Sequence, residues 1–446
     1  MRLSTSEYVR QCNSTNATIS QNFRHSFLID TKPTKKTICM RMEALPKLEK
    51  YSHLLKNYVE PNSSSTPVLK LSKRWMDYQG IKNWEGLLDP LDNNLRSEII
   101  RYGKFVEAAY RACDINPSSS SYATCRYHKR NLLNESGFKE TGYQVTENLT
   151  VNSGIQIPRW IERAPAWVAM QSSWIGFVAV CRDQNEISRL GRRDVVIAFR
   201  GTITCLEWLE NFRATLTPLP HYNSNSESDL EPMVASGFLS LYTSIFKRRQ
   251  SLQNLVRREI SRILEKYKNE PLSFTITGHS LGAALATLAA YDIKKTFKNS
   301  PLVTVISFAG PRVGNLSFRC ELEKQGTKIL RIVNSDDLIT KVPGFVVDDK
   351  AQTQCPDKLL RRNTTAGLGG WIEKLAEDSQ LVYANVGCEL RLSSRDSPYL
   401  DGNDIGTCHD LKTYLHLVDG FVGSNCPFRA TARKMINKTF GKNYPS

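Results

Sequence analysis

The sequence predicts an α/β fold in which a mostly parallel central sheet is flanked by helices. Between Trp174 and Leu392, apolar β-branched runs of strand length alternate with amphipathic or alanine-rich runs of helix length. Strands separated by helices close into a parallel sheet covered on both faces. One of these strands leads straight through Gly278-His279-Ser280-Leu281-Gly282 into an alanine-rich helix, which is the pattern of a sharp strand-to-helix elbow. The chain has 446 residues, 40% apolar and 23% charged, enough for one large core or two modest ones.

In chain order, residues 1–42 carry eleven Ser/Thr and seven Lys/Arg but only two acids, Glu7 and Asp30. A basic, hydroxyl-rich leader without periodicity is what organelle transit peptides look like. Residues 43–74 read as an N-terminal extension and linker, with Pro and Ser concentrated at 61–67, and residues 75–446 as the α/β domain. Pro90, Asn93 and Asn94 precede a helix over Leu95–Cys113, where Ile99, Ile100, Phe105, Val106 and Tyr110 fall at roughly helical spacing. Strands are expected at Gly176–Cys181, Asp194–Phe199, Ser273–Thr277, Val303–Phe308, Ile329–Val333 and Val382–Leu390. Helices are expected over Phe238–Tyr267 and Leu281–Phe297.

Composition excludes several classes of function. No run approaches the roughly 18 to 20 apolar residues of a membrane-spanning helix, so no transmembrane segment is expected. The net charge is +16, and residues 1–75, with 13 Lys/Arg against 5 Asp/Glu, carry half of it. The body is therefore only mildly basic and has no recognisable nucleic-acid reading module. The 11 cysteines are scattered with no C-x-x-C pair, which indicates neither a zinc site nor a dense disulfide framework and leaves mostly reduced, buried thiols as the expectation.

The chemistry concentrates at the elbow. A turn that tight strains the serine backbone, so small residues must flank it. It also lifts the hydroxyl above the sheet and aims a helix N-terminus at a developing oxyanion. Ser280 alone is a poor nucleophile and needs a base and an orienting acid. In α/β-hydrolases these follow the serine in the order acid, then histidine. His25, His53, His128 and His221 precede Ser280 and His279 lies inside the elbow, which leaves His409 and His416. They are seven residues apart and would share a face if both were helical, so spacing does not choose between them. For the acid, the strand ending at Val333 is followed by Asn334-Ser335-Asp336-Asp337, at the end of a parallel strand where active-site groups gather. A second oxyanion donor is available where Val196–Phe199 runs into Arg200-Gly201-Thr202, whose loop N–H could join that of Leu281.

Phe199-Arg200-Gly201-Thr202, Gly278 through Ala286, Phe308 through Asn315 and Val333 through Asp337 resemble the class-three, fungal-type lipases. More narrowly, Leu88-Asp89-Pro90-Leu91-Asp92 with the helix after it, and Tyr414 through Gly420, are similar to the plant plastid phospholipases A1 of the defective-in-anther-dehiscence-like group. The resemblance covers roughly Trp75 to the C-terminus. It implies Ser280 as nucleophile, Asp337 rather than Asp336 as the acid, His409 rather than His416 as the base, and Thr202 and Leu281 as oxyanion donors. It further implies sn-1 hydrolysis of phospholipid or galactolipid at a membrane surface in the chloroplast, feeding oxylipin and jasmonate synthesis, with no metal or organic cofactor. The same triad would serve a carboxylesterase on soluble esters, and lipase-like relatives without activity are a third class. Pro218 through Tyr222, followed by a polar run to Pro232, is a candidate lid over the serine. Lys247, Arg248, Arg249, Arg257, Arg258 and Arg262 form a basic face on the 238–267 helix.

Overall fold

The computed structural model describes residues 71–116, 118–152, 172–202, 215–220, 231–246, 249–342, 383–397, 399–400 and 404–420. The expected transit peptide at 1–42, most of the expected linker and residues 221–230 of the candidate lid lie outside the described residues. Seven strands form one sheet in the order β1-β2-β3-β6-β7-β8-β9. Strands β1 (Tyr143–Val151), β2 (Ser173–Cys181) and β3 (Arg193–Phe199) pair antiparallel. From β3 onward, β6 (Leu272–His279), β7 (Leu302–Phe308), β8 (Lys328–Asn334) and β9 (Cys388–Leu392) run parallel, so their C-terminal ends share one edge. A separate two-stranded pair, β4 (Leu216–Pro218) with β5 (Met233–Ala235), brackets residues 219–232.

The strand period of two divides the core into two layers. Val195, Ile197 and Phe199 of β3 join one layer, with Phe274 and Ile276 of β6 and helices α2 (Ser236–Thr243), α3 (Leu252–Lys266), α4 (Leu281–Thr296) and α5 (Leu316–Lys324). Val196 and Ala198 face the other layer, where α1 (Asn93–Ala112) and α7 (Leu411–Gly420) cover the sheet together with Ile306, Phe308, Leu330 and Ile332. Helix α1 starts where Asp92 accepts hydrogen bonds from the N–H groups of Asn94 and Leu95. It packs closely on α7: a Cβ on Gly103 would sit 2.3 Å from Leu415 Cδ2. Arg96 of α1 caps α7 by donating to the carbonyls of Val418 and Asp419.

Among the differences from the sequence expectation, three concern the sheet and the helices that cover it. The continuous helix expected over Phe238–Tyr267 is two helices, α2 and α3, with Ser251 capping the second through the N–H of Asn254. The break is stabilised by buried Asn152, whose amide donates to the carbonyls of Ser244 and Gln250. The last strand begins at Cys388, because Gly387 takes φ 72 against the carbonyl of Ile329, where any Cβ would lie 2.2 Å from that oxygen. Strand β1 was not expected at all. As an edge strand it buries only Val145, Leu149 and Val151, too sparse a pattern to stand out. No helix among the described residues is long and apolar enough to cross a membrane.

Candidate active site

The shared edge of the parallel strands brings the elbow, the acid and the late histidine together. Ser280 closes β6 with φ 57 and ψ −125, its N–H donates to the carbonyl of Phe308, and α4 begins at the next residue. A positive φ on a non-glycine residue costs about 1–3 kcal/mol, so the surroundings must hold it. They do so by contact: a Cβ on Gly278 would lie 2.3 Å from the Gly282 backbone, and one on Gly282 would lie 2.6 Å from the carbonyls of Phe199 and Arg200. Leu281, first in α4, has an N–H that no carbonyl of its own helix can accept.

Asp337 follows β8 and is fully buried, with its carboxylate satisfied by three donors. Ile339 N–H reaches Oδ1 at 2.9 Å, while His409 Nδ1 and the Tyr414 hydroxyl each reach Oδ2 at 2.7 Å. Because Oδ2 can only accept here, His409 carries its proton on Nδ1, and its Nε2 is left to accept. Tyr414 in turn accepts from the N–H of Asn334, while the Asn334 amide donates to the carbonyl of Cys408, which holds the chain beside His409. Burial, then the Asp337 charge, pushes the Tyr414 phenol well above its ordinary range, which keeps it a donor. Asp336 turns away: it accepts from the hydroxyls of Ser393 and Ser394 and pairs with Arg395 at 2.9 Å.

The two histidines that spacing could not separate stand apart. His409 ends the short helix α6 (Ile405–His409), and Asp410 in extended conformation breaks the chain before α7, so His409 and His416 do not share a helical face. His416 hydrogen-bonds Ser397 Oγ at 2.9 Å and meets the Tyr399 ring edge-on.

A second set of contacts ties the elbow to both neighbouring segments, and sequence reasoning missed it. His279 Nε2 lies 2.7 Å from the carbonyl of His409, so it must donate, which leaves Nδ1 to accept from the Tyr110 hydroxyl at 2.7 Å. Burial, reinforced by the nearby His409, holds the His279 pKa well below its ordinary value and the ring neutral. The same Tyr110 oxygen accepts the N–H of Gly201 at 2.9 Å. Arg200 Nη1 donates to the carbonyl of Gly201 at 2.7 Å. That carbonyl and the Thr202 N–H belong to one planar trans peptide and point oppositely, so Arg200 sets the direction of the Thr202 donor. The Thr202 hydroxyl is buried, with no hydrogen-bond partner among the described residues. Tyr110 lies on a helix whose apolar spacing explains it as packing, so no local signal marked it.

The basic face of α3 is largely neutralised within the molecule. Arg257 binds Asp292, Arg258 lies 3.5 Å from Glu147 and Arg262 binds Glu259. Among the described residues, no cluster of His, Cys, Asp and Glu could hold a metal ion.

Residues 196–347 match the family model for lipase (class 3). The chain is 59% identical over 417 residues to the chloroplastic phospholipase A(1) DAD1 of Arabidopsis thaliana, covering 92% of this chain and 91% of that one. It is 41% identical over 362 residues to the chloroplastic galactolipase DONGLE of the same plant, covering 79% of this chain and 71% of that one.

Proposed function

The chain belongs to the class 3 lipases, among the chloroplastic phospholipases A1 of plants, and from that premise we propose that it is a serine acyl hydrolase cleaving the sn-1 ester of phospholipid and galactolipid in the chloroplast. The observation that carries the reading is the 2.7 Å contact between His409 Nδ1 and Asp337 Oδ2, on a histidine whose carbonyl is held by the residue preceding Ser280.

In this mechanism Ser280 attacks the ester carbonyl while Nε2 of His409 takes its proton. Asp337 retains the Nδ1 proton and stabilises the imidazolium without accepting a proton itself. The oxyanion is held by the N–H groups of Leu281 and Thr202, each worth about 3 to 4 kcal/mol in comparable sites. His409 then protonates the departing lysolipid oxygen. It next deprotonates the water that releases the fatty acid from the acyl-serine, and these acids would feed oxylipin synthesis. The Ser280 φ of 57 and the glycines packed around it support the nucleophile's role, because such strain persists where a site requires it. Residues 1–42 serve as the transit peptide, and the substrate is drawn from a membrane surface.

Phosphatidylcholine and a galactolipid with different acyl chains at the two positions provide the test. The sn-1 acid is the expected product from parent enzyme, and none is expected from Ser280→Ala. Turnover of soluble esters alone would replace the lipase reading with a soluble carboxylesterase, and a fully active Ser280→Ala would remove the serine mechanism.

A further inference from the structure

We infer that Cys113 and Cys125 form a reversible dithiol–disulfide site behind the oxyanion loop. Cys113 caps the C-terminus of α1, and after an eleven-residue loop Cys125 returns opposite it in an isolated antiparallel bridge. The hydrogen bonds flanking the pair run from Asp114 N–H to the Thr124 carbonyl at 2.9 Å and from Arg126 N–H to the Ala112 carbonyl at 2.8 Å. This pattern puts the two cysteines at a non-hydrogen-bonded position, where opposed Cα atoms lie about 4.5 Å apart and the side chains leave the same face. That separation falls within the roughly 4.4–6.8 Å range that a disulfide spans. None of the other described cysteines, Cys181, Cys320, Cys388 and Cys408, stands opposite another cysteine in a strand or bridge.

Both sulfurs are thiols here. Cys113 Sγ faces the carbonyl of Asp114 at 3.8 Å and Cys125 Sγ that of Tyr127 at 3.3 Å, so bonding requires rotation about each Cα–Cβ bond with the backbone already in register. Cys125 is half-buried and Cys113 buried, which sets the order of attack. The Cys125 thiolate attacks a small-molecule disulfide such as oxidised glutathione, releasing one glutathione thiolate. The Cys113 thiolate then attacks the protein sulfur of the mixed disulfide, releasing the second. Two protein thiols are oxidised, one disulfide is reduced, and the two protons pass to the leaving thiolates. Burial pushes both thiols up, which slows the exchange; the Arg200 guanidinium beside Cys113 opposes this. The bond would tie the end of α1, one turn beyond Tyr110, to the segment returning at Cys125.

Peptide mapping tests this independently of hydrolysis. The full-length protein is equilibrated with oxidised glutathione, alkylated in denaturant so that buried thiols react, and digested with trypsin without reduction. Both cysteines fall in the single peptide from Ala112 to Arg126. The expected result is that peptide unalkylated and two hydrogens lighter than its dithiol form, returning to the doubly alkylated form after dithiothreitol. In Cys113→Ser the internal disulfide must vanish while Cys125 becomes alkylated or glutathionylated. Recovery from the oxidised parent of a doubly alkylated peptide, of stable glutathione adducts, or of either cysteine joined to a third would overturn the inference.

Discussion

Replacing Tyr110 with Phe removes a single oxygen and tests whether the elbow, the oxyanion loop and the base are held as one unit. That oxygen accepts the N–H of Gly201 at 2.9 Å and donates to His279 Nδ1 at 2.7 Å, while the ring keeps its packing. Two polar groups lose their partner, at about 1–3 kcal/mol each if they stay buried and unsatisfied. Part of that cost falls on stability. The part that falls on catalysis acts through the peptide bearing the Thr202 donor, and complete loss of one oxyanion donor would cost a factor of about 10²–10³. Arg200 still anchors the other side of Gly201, so the loss is partial: kcat should fall by about 10- to 100-fold, which corresponds to roughly 1.4–2.7 kcal/mol. The KM should stay within about twofold, because the loop acts on developing charge rather than on ground-state binding. Steady-state rates on phosphatidylcholine vesicles, paired with a check of folding by circular dichroism, provide the assay. A folded Tyr110→Phe with unchanged kcat, or with its loss confined to KM, would refute the coupling.

The other predictions concern the acid and the pH response. Asp337→Asn should lower kcat by roughly 10³–10⁴, the scale expected when a buried orienting carboxylate is lost; Asp336→Asn should leave kcat within a few-fold, and equal losses in the two variants would contradict the assignment. Stability should fall as pH drops below about 6.5, because unfolded His279 and His416 take up protons there while burial keeps both folded-state values lower. The slope contributed by each histidine is at most about 1.4 kcal/mol per pH unit between its unfolded and folded pKa values, and full stability returns above that window. Urea unfolding at pH 7.5 and 5.5 measures the slope, which should shrink in His279→Asn; a flat profile would show that these rings are not held neutral.

How much could be read beforehand follows the range of each constraint. The elbow was legible because its requirements are local: Gly278, Ser280 and Gly282 sit within five residues, and each glycine answers a backbone contact under 3 Å. The parallel strands were legible because each carries a short run of β-branched and other apolar residues, such as Val195–Phe199 and Val303–Phe308, between segments of helix length. Asp336 and Asp337 are adjacent in sequence and diverge only through the Ser393–Arg395 turn, so physics alone left them open and the family resemblance chose. His409 and His416 are parted by the break at Asp410, a backbone event with no proline or glycine to announce it. Tyr110, Arg200 and His279 were invisible as a group because each has an ordinary local explanation, and their shared role exists only once α1 lies behind the oxyanion loop. The split between α2 and α3 depended on the distant Asn152 in the same way.

The central claim is tested most directly by mapping where a lipid-like phosphonate attaches. Such a reagent should phosphonylate Ser280 stoichiometrically as activity disappears, with no adduct in Ser280→Ala and slow labelling in His409→Ala. Inactivation with the adduct on another residue, or labelling of Ser280 at an undiminished rate in His409→Ala, would contradict the account.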